Sequence, residues 1–209
     1  MSKMHPTEIE CPQCGAKSQF TIHDSINVTL DPEDKKRVLD RSLFLFHCEK
    51  CGAKAYVNYG PLYHDMTEKY MISVVPDRET AHKSTIPKME MGKFSMLAAG
   101  YRLRVVCGIS GLIEKIQIFD NGLSDYAVEM LKAKLFPQLD SPAEMYFTEI
   151  TEDDIGFYLL YDDSARNTGI SVERSWYDRC VAALEKQDID PEIQYVDKEL
   201  FAALFDGQG

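Results

Sequence analysis

The hydrophobic and polar positions of this chain change period several times, and the changes outline its elements. Residues 18–23 alternate with a strand period that puts Phe20 and Ile22 on one face. Asp31-Pro32-Glu33-Asp34 reads as a helix start, with a capping residue, proline at the first helical position and acids in the first turn, so a short helix is expected to about Asp40. Residues 43–47 deliver the second knuckle, 55–59 leave it as a strand, and 70–75 read as another strand, ending at Pro76, which cannot donate to a ladder. Residues 77–100 show scattered Lys and Met and no sustained period. They are expected to form a long, partly mobile loop that adds little core, Ile86 and Phe94 included.

Residues 101–107 form a strong strand pattern. Ile109, Leu112, Ile113 and Ile116 then recur at helical spacing until Asn121-Gly122, a left-handed helix stop. A second amphipathic helix is expected over 124–136, halted by Pro137. In the last third, residues 145–150 and 157–161 flank a turn at 151–154 as a hairpin, and 169–173 adds a strand. A helix capped by Ser175 buries Tyr177, Cys180, Val181 and Leu184, and a final helix from Asp197 buries Leu200, Phe201, Leu204 and Phe205. No internal repeat is evident.

The cysteines change the picture most. Cys11-Pro12-Gln13-Cys14-Gly15 and Cys48-Glu49-Lys50-Cys51-Gly52 have the form of two zinc knuckles. Two residues between thiolates let one tight turn aim both sulfurs at one ion, and the following glycine permits the left-handed backbone that completes the turn. The 33 residues between the pairs exceed the roughly 15–20 of a compact ribbon. An inserted helix led by Pro32 accounts for the excess. The expectation is one structural zinc ion on Cys11, Cys14, Cys48 and Cys51, with iron, a redox pair or four free thiols as alternatives. Cys107 and Cys180 read as core thiols.

The fold class expected is therefore α+β, in four parts. A zinc ribbon with an inserted helix spans 8–75, a linker 76–100, a strand with a helical hairpin packing on the ribbon 101–136, and a small acidic α+β unit 140–209. The formal charge of −11 is concentrated late, since residues 137–209 hold 5 basic and 17 acidic groups. Such a surface repels phosphate backbones and suits a basic protein partner. No run approaches the roughly 18 apolar residues of a membrane span, and the first ten residues lack the apolar stretch of an export signal. A soluble cytoplasmic protein without membrane partners is expected; the oligomeric state is open.

Beyond the knuckles, several ordered motifs stand out. They are Asp24-Ser25-Ile26-Asn27, residues 46–52, Leu62-Tyr63-His64-Asp65-Met66, and Tyr101-Arg102-Leu103-Arg104 leading into Leu112-Ile113-Glu114-Lys115-Ile116. Through these and Cys11 to Gly15, the chain resembles the CpXC family over roughly residues 8–136. Glu49 stands where the family name has a second proline, which costs no ligand. The resemblance implies the metal site and carries no activity with it.

Three functions compete. A zinc-stabilised module that binds another protein is favoured, because the only clear chemistry is structural. A nucleic-acid-binding ribbon would use Lys35, Lys36, Arg37 and Arg41 with Phe44 and Phe46. An enzyme would use Asp24, Ser25, His64 and Asp65 as a polar cluster at the end of the ribbon opposite the metal, or that cluster merely braces the fold.

Overall fold

The computed structural model describes residues 2–84, 96–187, 189–190 and 193–206. The fold is mixed α+β and divides into two compact units, residues 1–109 and 110–209.

Unit one is built on a five-stranded sheet in the order β1 (Lys3–Glu10), β2 (Lys17–Asn27), β5 (Leu62–Asp65), β6 (Tyr70–Val75) and β7 (Arg102–Cys107), and on a two-stranded sheet of β3 (Leu45–His47) and β4 (Lys54–Tyr56). β1 (Lys3–Glu10) pairs antiparallel with β2 (Lys17–Asn27). The last residues of β2 then pair in parallel with β5 (Leu62–Asp65), Ile26 beside Tyr63. β5 turns back into β6 (Tyr70–Val75), which pairs in parallel with β7 (Arg102–Cys107). The first half of β2 thus belongs to a protruding hairpin and its end to the main sheet. Ile26, Tyr63, Tyr70, Ile72, Leu103 and Val105 form the buried core, with Tyr63 and Tyr70 stacked at 5.9 Å.

Between the hairpins lies α1 (Pro32–Leu39), where the proline and acidic first turn predict it. The Asp31 carboxylate does not cap it; it accepts a 2.7 Å bond from the Ser2 hydroxyl instead. His23 Nδ1, close to α1, is buried without a hydrogen-bond partner among the described residues. Burial holds the His23 pKa below its usual value and, with the Arg37 charge, outweighs the opposite pull of Asp34 and Asp31.

Three expectations for this unit are corrected. β1 and β5 were not expected as strands: β1 is polar and contains Pro6, and it forms because an edge strand tolerates a missing N–H. The strand after the second knuckle is only β4 (Lys54–Tyr56). The segment expected as a loop opens with α2 (Arg78–Lys83), whose N-terminus is capped by the Asp77 carboxylate accepting from the Thr80 N–H at 2.7 Å. Ala81 is buried, and Met96 and Leu97 pack on Met71 and Leu103, so this segment does supply core; Ile86 and Phe94 lie outside the described residues.

Unit two holds most of α3 (Gly108–Asp120), then α4 (Asp125–Leu135) and a meander of β8 (Glu144–Ile150), β9 (Asp154–Leu160) and β10 (Thr168–Glu173). α5 (Arg174–Leu184) and α6 (Lys198–Asp206) complete it. The helical hairpin expected to join the ribbon therefore falls with the C-terminal third. Its partners there are specific. Tyr126 meets Phe201 edge-on at 6.3 Å, and the Ser124 N–H donates to the Tyr177 hydroxyl at 2.9 Å. Ser175 lies inside α5 and bonds Glu173, so it is not the cap; Asp197 does cap α6, accepting from the Glu199 and Leu200 N–H groups. The side chains of Leu204 and Phe205 lie outside the described residues.

The core of this unit contains a chain of alternating charges. Lys115 lies 3.2 Å from Asp125 and 3.3 Å from Glu129, Lys132 lies 3.0 Å from Glu129 and from Glu114, and Glu114 accepts the Phe147 N–H at 2.6 Å. None of the five side chains is more than 7% exposed. Lys115 also donates to the Val196 carbonyl at 3.0 Å. The chain ties α3, α4, β8 and the segment before α6 to one another.

Removing one member leaves the others buried and uncompensated. Lys115→Met is expected to destabilise unit two by about 3–5 kcal/mol in urea unfolding, although methionine nearly matches the volume. His23 gives a pH prediction for unit one. Because folding depresses its pKa, its contribution is present above the ordinary value of 6.5 and is lost as pH falls. The urea midpoint should fall on going from neutral to acidic pH, and His23→Phe should flatten that slope.

Candidate metal centre

Each knuckle is the turn of a β-hairpin. Glu10 pairs with Lys17 across the first, closing β1 on β2, and His47 pairs with Lys54 across the second, closing β3 (Leu45–His47) on β4. The backbone of the two turns is the same. Gly15 and Gly52 donate to the carbonyls of Cys11 and Cys48 at 2.9 Å, and Cys11 and Cys48 donate to those of Ala16 and Ala53 at 2.8 Å. Both glycines have left-handed φ, 66° and 74°. The likeness extends to sequence, since Cys-x-x-Cys-Gly-Ala-Lys occurs at 11–17 and again at 48–54, a short repeat the sequence reading passed over.

The turns meet sulfur to sulfur. All four Sγ atoms lie within 4.8 Å of one another, with Cys11–Cys51 at 3.7 Å and Cys14–Cys48 at 3.8 Å. Four sulfurs in a tetrahedron at about 2.3 Å from a central ion would stand about 3.8 Å apart. Disulfides would bring two sulfurs to about 2.05 Å, and all four cysteines are free. The donor set fits a metal ion, and four protein sulfurs leave no coordination position for substrate or water.

Local structure supports the sulfurs from behind. Cys11 and Cys48 are buried, at 2% and 0% exposure, with Phe46, and Ile9, Ala16, Phe20, Ala53, Ala55 and Val57 pack against them. Cys14 and Cys51 face outward. The backbone N–H groups of Cys51 and Lys50 point at the Cys48 sulfur and lower its pKa to about 6. The Ala53 N–H pulls Cys51 the same way, yet sharing protons with Cys14, Cys48 and Cys11, together with burial, pushes it up to about 12. One proton-poor and one proton-rich sulfur are what crowded thiols produce, and a cation replaces the shared protons.

Asp24, Ser25, His64 and Asp65 are not drawn into one network. Asp24 sits at the β1–β2 bulge and lies 3.1 Å from His5 Nδ1. The Ser25 hydroxyl accepts the Lys3 N–H at 3.0 Å. His64 Nε2 lies 3.3 Å from the Tyr101 hydroxyl, and burial lowers the His64 pKa. Asp65 is buried, accepts the Thr67 and Glu68 N–H groups and lies 3.4 Å from Lys35. β2 and β5 do pair here, Ser25 beside Leu62 and Asn27 beside His64, yet each of the four side chains bonds a different group.

Of the basic and aromatic candidates, Lys35 pairs with Asp65 and Arg37 with Asp34 at 2.8 Å, while Phe44 and Phe46 are buried. Cys180 is buried, which raises its pKa, and Cys107 is only partly covered.

Two β-hairpins that present a four-cysteine cage at their turns make a ribbon-type site that could hold a metal ion. The profile of the family described as CpXC protein matches residues 9–132, more than half of the chain, so the chain belongs to the CpXC family. No curated protein and no solved structure matches it.

The cage is expected to fail as a unit. Cys48→Ser should abolish stoichiometric metal in elemental analysis and disorder both hairpins in NMR spectra, whereas Cys180→Ser should leave metal content unchanged. Gly52→Ala, at a positive φ with open space around it, should cost about 1–2 kcal/mol in metal-loaded protein through backbone strain alone.

Proposed function

We propose that this protein is a zinc-stabilised binding module of the cytoplasm whose partner is another protein. The observation that carries the metal reading is the sulfur cage itself, whose 3.7 and 3.8 Å edges suit a tetrahedral four-thiolate ion with no open position. Zinc is the default ion for such a shell, and its task is to hold the two hairpins rather than to activate water. Rubredoxin-like iron is the alternative, and the two differ in colour.

The charge distribution supports a protein partner over a nucleic acid. Residues 1–109 hold 15 basic and 13 acidic groups, and residues 110–209 hold 8 and 21. A nucleic-acid ribbon needs a basic face with aromatic rings free to stack on bases. Here two of the four candidate cations are paired with carboxylates and both candidate rings are buried. Among the described residues no helix is long and apolar enough to cross a membrane.

Purified protein is expected to be colourless and to contain one zinc per chain, with four sulfur neighbours at about 2.3 Å in X-ray absorption. Red protein with stoichiometric iron would replace zinc in this reading. Filter binding at physiological salt should show no saturable retention of DNA or RNA, and tight retention would overturn the choice of a protein partner.

A further inference from the structure

A free sheet edge offers unpaired N–H and C=O groups to any passing strand, and soluble proteins block such edges with proline, lysine, bulges or covering elements. This chain blocks most of its edges. β1 carries Lys3, Pro6 and a bulge, and β7 is buried from Leu103 to Val106. β8 is bulged between Phe147 and Glu149, and its Phe147 N–H is taken by the Glu114 carboxylate. β3 and β4 are three residues each.

β10 has none of these devices. Its six residues contain no proline or lysine and pair with β9 in unbroken register from Thr168–Leu159 to Glu173–Asp154. Among the described residues no strand lies on its other side. Thr168, Gly169, Ser171 and Glu173 are exposed.

Gly169 is the second observation. Its φ is not left-handed, and a Cβ added there would meet nothing nearer than the Phe157 carbonyl at 3.9 Å. The fold does not demand glycine at this position. Gly169 sits directly across from Tyr158, which is 41% exposed, so the missing side chain leaves that ring uncovered from the edge. Gly156 is different, because a Cβ there would press on Thr148 and Glu149 at 3.0 and 3.1 Å.

Charge selects the occupant. The edge ends at Glu173, opposite Asp154 and next to Asp153, whose carbonyl accepts the Arg174 N–H, while Asp162 and Asp163 lie in the turn before it, beyond Arg166. The nearby arginines are engaged: Arg166 lies 2.6 Å from Asp140 and over the Tyr161 ring, and Arg174 donates to the Thr151 carbonyl. A parallel second copy of β10 would set Glu173 against Glu173, with Asp153 and Asp154 beside each. An extended chain carrying lysine or arginine meets complementary charge at the Glu173 end.

We propose that β10 is the docking edge for an extended, Lys- or Arg-bearing segment of a partner protein, which joins the sheet as its fourth strand. Main-chain hydrogen bonds supply the attachment, the cations face the carboxylates at the Glu173 end, and a partner side chain fills the space over Gly169 against Tyr158. This rests on the binding-module reading and gives it a place and a chemistry.

The test uses the full-length, metal-loaded protein and a synthetic peptide of about eight residues alternating Lys and Val, the length of a typical strand. A control peptide has the same sequence with N-methyl groups on alternate backbone nitrogens. Hydrogen exchange followed by NMR should show the β10 amides not bonded to β9 slowing by about tenfold or more, with binding weakened at least as much by N-methylation. Ser171→Lys, at an exposed position, should weaken binding while leaving the spectrum of the free protein otherwise unchanged. Equal binding of the methylated peptide would reduce the contact to charge attraction and overturn the proposal. So would protection confined to residues outside β10, protection of β10 in a concentration-dependent dimer without peptide, or no binding. Those outcomes leave the binding-module reading standing, which falls separately if the chain tightly retains nucleic acid.

Discussion

Four thiol sulfurs held within 4.8 Å of one another are tolerable only if protons or a cation lie among them, and the arrangement of the first 109 residues depends on that condition. The second hairpin has only three residue pairs, too few to persist in water on its own. The first is longer but exposed along much of its length. What joins them beyond the few apolar contacts around Phe46 is the cage. Apparent binding energies of about 10–16 kcal/mol for structural zinc at neutral pH are of the size needed to order such a module. The same two turns seat β2, whose far end carries the register of the ribbon into the main sheet through Ile26 and Tyr63.

Unit two answers the same problem, joining elements distant in sequence, with different chemistry. Its core orders α3, α4 and β8 through two lysines and three carboxylates in alternation. Burial raises the Glu114 pKa against the pull of Lys132, so the pairing is needed to keep charge there. Apolar side chains of similar volume could fill this space without loss of stability, but they would specify helix register less sharply, since a leucine fits many partners and a buried ammonium few. The Phe147 N–H on Glu114 extends that specification to the sheet.

How much of this was legible follows from which forces are local. The knuckles could be read because thiol spacing and a glycine that must turn left are properties of five adjacent residues. α1 could be read from Pro32 and its acidic turn for the same reason. β1 could not: a polar segment with a central proline becomes a strand only because the knuckle folds it back on β2, and the second Cys-Gly-Ala-Lys was the available hint. The charges of α3 and α4 follow a helical period, and nothing in that period says that Lys115 and Lys132 face inward. The polar cluster follows from the similar reach of two strands leaving the knuckles; those strands do meet, Ser25 beside Leu62 and Asn27 beside His64, but the four side chains each bond a different group, which strand length alone does not reveal.

The acidity of residues 110–209 takes on a sharper meaning beside the unblocked edge of β10. An unprotected strand without flanking charge would pair with its own copies, and the penalty would be aggregation. Placing Glu173, Asp153 and Asp154 at one end of β10, instead of a lysine or proline within it, disfavours a parallel copy of itself without closing the edge. Proline would forbid every strand; carboxylates forbid only acidic ones. A surface selected for solubility alone has no reason to prefer the second device to the first, and no reason to keep Gly169 where the backbone accepts any residue. Both choices leave the main chain accessible to one class of partner, which is the condition specificity imposes on an interface built from backbone hydrogen bonds.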